Sequence, residues 1–167
     1  MTGAAPAVRV AVLTVSDGVR AGTREDGSGA LLEAWVGESG YVLAARDVVG
    51  DEVPDLVRIL SAWADGGHCD VIVTTGGTGL TERDVTPEAT RAVIERDVPG
   101  IGEALRSAGR ASTPHAALGR GVAGLRGATL IVNLPGSPAA VRDGLAVLAD
   151  ILEHAVALLQ GAPTRHD

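Results

Sequence analysis

Three short aliphatic runs constrain this chain more than any other feature: residues 8–15 (VRVAVLTV), 71–75 (VIVTT) and 130–134 (LIVNL). Each is rich in β-branched residues and almost free of charge, the pattern of a strand covered on both faces. Each also runs straight into a polar turn: Ser16-Asp17-Gly18, Gly76 to Asp84, and Asn133 to Ser137. Helical spacing fills the gaps between them. One helix follows Gly29 and ends near Gly40, with Leu31, Leu32, Trp35 and Val36 on its apolar face; Ser28 is a candidate cap. A second covers residues 53–64, with Leu56, Val57, Leu60 and Trp63. A last one opens at Ser137-Pro138 and carries the stripe Val141, Leu145, Leu148, Leu152, Ala155 and Leu159. Further strands are expected at 41–49 and 122–125. Another helix starts at Thr86-Pro87-Glu88, with Thr86 as N-cap and Pro87 at its first position, and a further one runs to about Arg110. Alternating buried strands and helices predict an α/β domain with a mainly parallel sheet. In such sheets ligands bind outside the carboxyl ends of the strands, so the three polar turns should gather at one edge.

With 167 residues and no linker or repeat, one domain spanning 1–167 is expected. There is no Phe, one Tyr and two Trp, so Ala, Val, Leu and Ile must make the core. The formal charge of −7 and the missing aromatic platforms argue against nucleic acid as a partner. All 14 basic residues are Arg. Without Lys there is neither a Schiff base nor a Walker-type phosphate loop. The dinucleotide fingerprint GxGxxG also fails at each glycine cluster. Cys69 is the only cysteine, which excludes an internal disulfide and a cysteine-rich zinc site. His68, His115 and His154 lack a nucleophile or metal-ligand context. No apolar run approaches the roughly 20 residues of a membrane span, and no secretory leader is visible, so a cytoplasmic location is the default expectation.

The stretch 74–88 (TTGGTGLTERDVTPE) carries the strongest chemical signal. Gly76, Gly77 and Gly79 let the backbone adopt positive φ and approach a ligand, and the following helix start adds its positive end. Arg83 and Asp84 set a cation and a carboxylate beside those glycines, as a magnesium–phosphate site needs. A plain βα turn is the competing reading of the glycines alone. Asp51, in VGDEVP, has the setting of a helix cap, with a catalytic carboxylate as the alternative. Asp17 and Asp26 can be turn formers. Asn133 to Pro138 (NLPGSP) is a tight strand-to-helix turn whose helix start could also face an anion.

Taken in order, VLTVSDG, TTGGTGLTERDVTPEAT, VPGIGEALR, GRGVAGLRG and LIVNLPGSPAAV resemble the molybdopterin-binding family of the MogA/MoaB type, from about Arg9 to Gly161. The resemblance implies a three-layer αβα sandwich, a homotrimer, and adenylylation of molybdopterin by Mg·ATP with release of pyrophosphate. It implies catalytic and Mg²⁺-holding roles for Asp51 and Asp84. A pterin–nucleotide pocket would be lined by Ser16, Asp17, Gly76, Gly77, Thr78, Gly79, Arg83, Pro135, Gly136 and Ser137. A molybdate-insertion enzyme would be the downstream partner. A non-catalytic carrier on the same fold is the alternative. The chain departs from the family where Gly18 and Ala139 replace residues that are often basic; Arg20, Arg24 and Arg83 are the candidates to stand in for them.

Overall fold

The computed structural model describes residues 7–162. The chain forms β1 (Arg9–Val15), α1 (Asp17–Arg20), α2 (Gly27–Glu38), β2 (Val42–Val49), α3 (Val53–Asp65), β3 (Val71–Thr75) and α4 (Thr86–Val93). It continues through β4 (Arg96–Asp97), α5 (Pro99–Ser112), a 3₁₀ turn (Pro114–Leu118), β5 (Ala123–Arg126), β6 (Thr129–Leu134) and α6 (Pro138–Leu159). The six strands lie in the order β2-β1-β3-β6-β5-β4. The first four in that order run parallel, and β5 and β4 close the far edge antiparallel.

Strand alternation divides the core into two layers. Val10, Val12, Val71, Val73, Leu130 and Val132 face α2, α5 and α6. Ala11, Leu13, Ile72 and Ile131 face α3 and α4. Both faces of the central strands are therefore dry, which is why their sequences show no polar alternation. The result is the expected three-layer sandwich.

Chain order and strand order together place the site. From β1 the chain passes through α2 to β2 at the edge, then through α3, on the other face, to β3 on the opposite side of β1. The turns after β1 and β3 thus leave neighbouring strands in opposite directions, opening a crevice at their carboxyl ends. The parallel register of β6 with β3 brings Pro135 to the same edge.

Several local expectations needed correction. Asp26, not Ser28, caps α2: its side chain accepts from Gly29 N–H at 2.9 Å, while Ser28 lies buried inside the helix. Thr86 opens α4 but does not cap it by its side chain; Val85 holds the N-cap position. Pro99 begins α5, and the two-residue strand β4 and the 3₁₀ turn carried no signal strong enough to be read. Ser137 does cap α6, accepting from Ala140 N–H at 3.2 Å.

Candidate active site

The crevice opens into a cavity of about 1390 Å³. Its floor is the glycine turn after β3. Gly76 and Gly77 have φ of +101° and +67°, conformations that side chains rarely adopt. A methyl group on Gly76 would meet the Val15 carbonyl oxygen at 2.3 Å. On Gly77 it would lie 2.3 Å from Thr86 Oγ1 and 3.2 Å from Asp51 Oδ1. Glycine is required here by both torsion and space. The turn is tied from beneath by Thr86, fully buried, whose hydroxyl donates to the Gly76 carbonyl at 2.9 Å and whose N–H donates to the Gly77 carbonyl at 3.0 Å. Thr75 Oγ1 donates to the Pro135 carbonyl at 2.7 Å and links this turn to the third.

Asp51 and Asp84 lean on the same turn from different elements. Asp51 follows β2; its Oδ2 accepts from Asp17 N–H at 2.9 Å, and Asp17 Oδ1 returns the bond from Asp51 N–H at 3.0 Å. The reading of Asp51 as a cap for α3 is thereby set aside: Glu52 holds that position and makes no side-chain cap bond. Asp84 closes the glycine loop, its Oδ2 accepting from Thr81 N–H at 2.9 Å and Thr81 Oγ1 at 2.7 Å. A methyl group on Gly79 would stand 2.9 Å from the same oxygen.

Their electrostatics diverge. Burial pushes the Asp51 carboxyl above its ordinary range; Asp17 N–H offsets this in part, while the charge of Asp17 adds to it. The Asp84 carboxyl sits below its range, because bonds from Thr81, the Gly79 N–H and the charge of Arg120 outweigh the cost of burial. Asp17 is also held low, first by the Asp51 N–H and then by Arg83.

All the sequence-selected residues reach this cavity: Ser16, Asp17, Asp51, Gly76, Gly77, Thr78, Gly79, Arg83, Asp84, Pro135, Gly136 and Ser137. Their present contacts differ from a simple phosphate cradle in two cases. Ser16 Oγ caps α1, accepting from Val19 N–H at 3.2 Å. Arg83 is committed to acids, donating to Asp17 Oδ2 at 2.7 Å and to Glu52 Oε1 at 3.0 Å. Gly18 and Ala139 line the cavity too. Of the three arginines considered as substitutes for a basic residue there, Arg20 lies beside Asp55 at 3.7 Å. Arg24 lines the cavity near Gly18 and has no ion-pair partner among the described residues.

Sequence reasoning missed the far wall, built by Leu105, Arg106, Gly109, Ala116 and Leu118, because nothing in their spacing distinguishes a pocket wall from an ordinary helix face. It also passed over Asn133 as a support: its Nδ2 donates to Thr74 Oγ1 at 3.0 Å and Thr90 Oγ1 at 2.9 Å, joining β6 to β3 and α4.

A divalent cation suits the two aspartates. Among the described residues no group of three or more His, Cys, Asp or Glu forms a closed metal cage. Magnesium, however, is commonly held by one or two carboxylates together with substrate phosphates. The ordinary hydrogen bonds of both carboxylates fall on Oδ2, which leaves lone pairs on each Oδ1 for a hard cation.

Fold and site together define an α/β domain with an acid-lined, glycine-floored crevice at the carboxyl ends of its parallel strands. Residues 11–154 match the family described as "Probable molybdopterin binding domain", and the chain belongs to that family. It is 37% identical to the molybdopterin adenylyltransferase of Helicobacter pylori, over 92% of this chain and 89% of that protein. It is 44% identical to a molybdenum cofactor biosynthesis bifunctional protein of Synechococcus elongatus, over 96% of this chain and 50% of that one. Several longer curated relatives that it matches are likewise covered over only half their length or less. The crystal structure of the molybdopterin biosynthesis enzyme MoaB from Thermus thermophilus superposes with a TM-score of 0.87 at 46% identity, covering 95% of this chain and 99% of that chain. No described helix is long and apolar enough to cross a membrane.

Proposed function

We propose that this chain is a molybdopterin adenylyltransferase, moving the adenylyl group of ATP to the terminal phosphate of molybdopterin. The observation that carries the reading is the seating of Asp51 and Asp84 against one glycine turn, inside a cavity large enough for two substrates. Single small-molecule pockets commonly fall between about 300 and 1,000 Å³.

In the reaction a phosphate oxygen of molybdopterin attacks the α-phosphorus of ATP. The bond from that phosphorus to the β-bridging oxygen breaks, and pyrophosphate leaves with the electron pair. A phosphate monoester is already an anionic nucleophile near neutral pH, so no protein base and no covalent intermediate are required. The protein's task is alignment and charge neutralisation. Asp51 and Asp84 would hold Mg²⁺, which when bound offsets phosphate charge. The glycine turn gives the phosphates close access to backbone, and the start of α6 presents its positive end. Arg24 and Arg106 supply positive charge at the wall. A homotrimer and transfer of product to a molybdate-insertion enzyme complete this reading.

The test is direct. Purified protein incubated with molybdopterin and Mg·ATP should yield adenylylated pterin and an equal amount of pyrophosphate. Tight pterin binding without either product would assign the chain to a carrier role instead.

A further inference from the structure

Arg120 does not itself line the cavity, yet it binds three residues that do: Thr78, Gly79 and Asp84. Its N–H donates to the Thr78 carbonyl at 2.9 Å and its Nε to the Gly79 carbonyl at 2.8 Å. One terminal nitrogen of the same guanidinium donates to the Asp84 carbonyl at 2.6 Å. The fork therefore spans both ends of the segment whose tip carries the exposed Leu80. Glu88, in the first turn of α4, takes the remaining donors on its carboxylate, and Arg120 holds that carboxylate below its usual range. The mount is stiff as well. Arg120 precedes Gly121, where a methyl group would come within 3.0 Å of the Asn133 carbonyl, and Val122 N–H donates to Asn133 Oδ1 at 3.2 Å.

We propose that Arg120, oriented by Glu88, is the positioning residue for Asp84: it clamps the 78–84 loop from behind and fixes where that carboxylate presents itself. The proposal rests on the catalytic reading of Asp84, but the clamp itself can be measured without turnover. A planar guanidinium can bridge three acceptors at once, whereas an ammonium is a point charge and cannot reproduce the fork.

Amide hydrogen exchange should be compared in the wild type, Arg120→Ala, Arg120→Lys, Glu88→Gln and the distant control Arg58→Ala. Exchange at Thr81 and Asp84 should quicken roughly tenfold in both Arg120 variants, as expected for losing hydrogen bonds to a charged group, less in Glu88→Gln, and not in Arg58→Ala. In the adenylylation assay kcat should fall about 10- to 100-fold for Arg120→Ala, the range for residues that orient a metal ligand, while KM for molybdopterin holds. Added methylguanidine should restore part of the rate to Arg120→Ala, which a loss of overall fold would not permit. Unchanged exchange at Thr81 and Asp84 in Arg120→Lys and Glu88→Gln overturns the clamp, even if Arg120→Ala fails to fold. Faster exchange in the Arg120 and Glu88 variants, with a wild type that makes no product, would sink the enzymatic reading and leave the clamp standing.

Discussion

Asp51 and Asp84 bring the same functional group to the same glycine turn, and their surroundings treat them in opposite ways. Asp84 is fed hydrogen bonds by Thr81 and lies near Arg120, so its charge is stabilised before any ligand arrives. Asp51 is more deeply desolvated and has Asp17 and Asp84 as like-charged neighbours, so its charge is resisted. The difference shows how one site can be both assembled and receptive. One carboxylate is a fixed anchor. The other carries a charge that burial resists and that the Asp17 N–H and Arg83 offset only in part, a cost a bound cation would reduce further.

If that division holds, removing the anchor costs most. Asp84→Asn should lower kcat by at least ~10²- to 10³-fold, comparable to deleting a preorganised electrostatic group. Molybdopterin binding, followed by its fluorescence, should be largely retained. Full turnover by a folded Asp84→Asn protein would end the assignment of roles.

The comparison also depends on the turn beneath both groups. Gly77→Ala places a methyl group where Thr86 Oγ1 lies, in a left-handed backbone conformation that costs about 1–2 kcal/mol for L residues. Both aspartates should be displaced, and activity and denaturant midpoint should fall together. Thr86→Val is the gentler version. It keeps the shape and leaves the buried Gly76 carbonyl without its hydroxyl donor, for a loss of about 1–3 kcal/mol in urea unfolding. A Thr86→Val protein as stable as the wild type would show that the turn does not need the Thr86 hydroxyl.

The two carboxylates were unequally legible in the sequence. Asp84 stands beside three glycines and an arginine, so its chemistry could be argued locally. Asp51 looks like a helix cap until the fold turns it toward Asp17, 34 residues away. The parallel core was readable because Val, Ile and Leu run unbroken through strands covered on both sides. The helix caps were less so: Asp26 and Ser28 are equally plausible caps by type, and only the backbone path decides between them. Arg120 was the hardest to find. It is one arginine among 14, and its role exists only once the 78–84 loop has folded against it.

The smallest expected effect is the one that separates the two aspartates most cleanly. A carboxyl whose folded pKa is depressed, as for Asp84, adds stability above its unfolded pKa and loses it as pH falls through the folded value. A carboxyl whose folded pKa is raised, as for Asp51, does the reverse. Its ionisation opposes folding, so its cost is absent in acid and appears as pH rises through the folded value. At pH 7 Asp51→Asn should therefore raise Tm slightly, since the amide oxygen can still accept from Asp17 N–H, and Asp84→Asn should lower it. Both differences should shrink when the melts are repeated in acid, where the wild-type carboxyls become protonated. Mg·ATP should then reverse the ranking at pH 7, stabilising the wild type more than Asp51→Asn, because a bound cation converts the liability of that charge into binding energy. Equal ligand-induced shifts in the two proteins would mean that Asp51 meets no cation, and that the tension around it has some other purpose than metal capture.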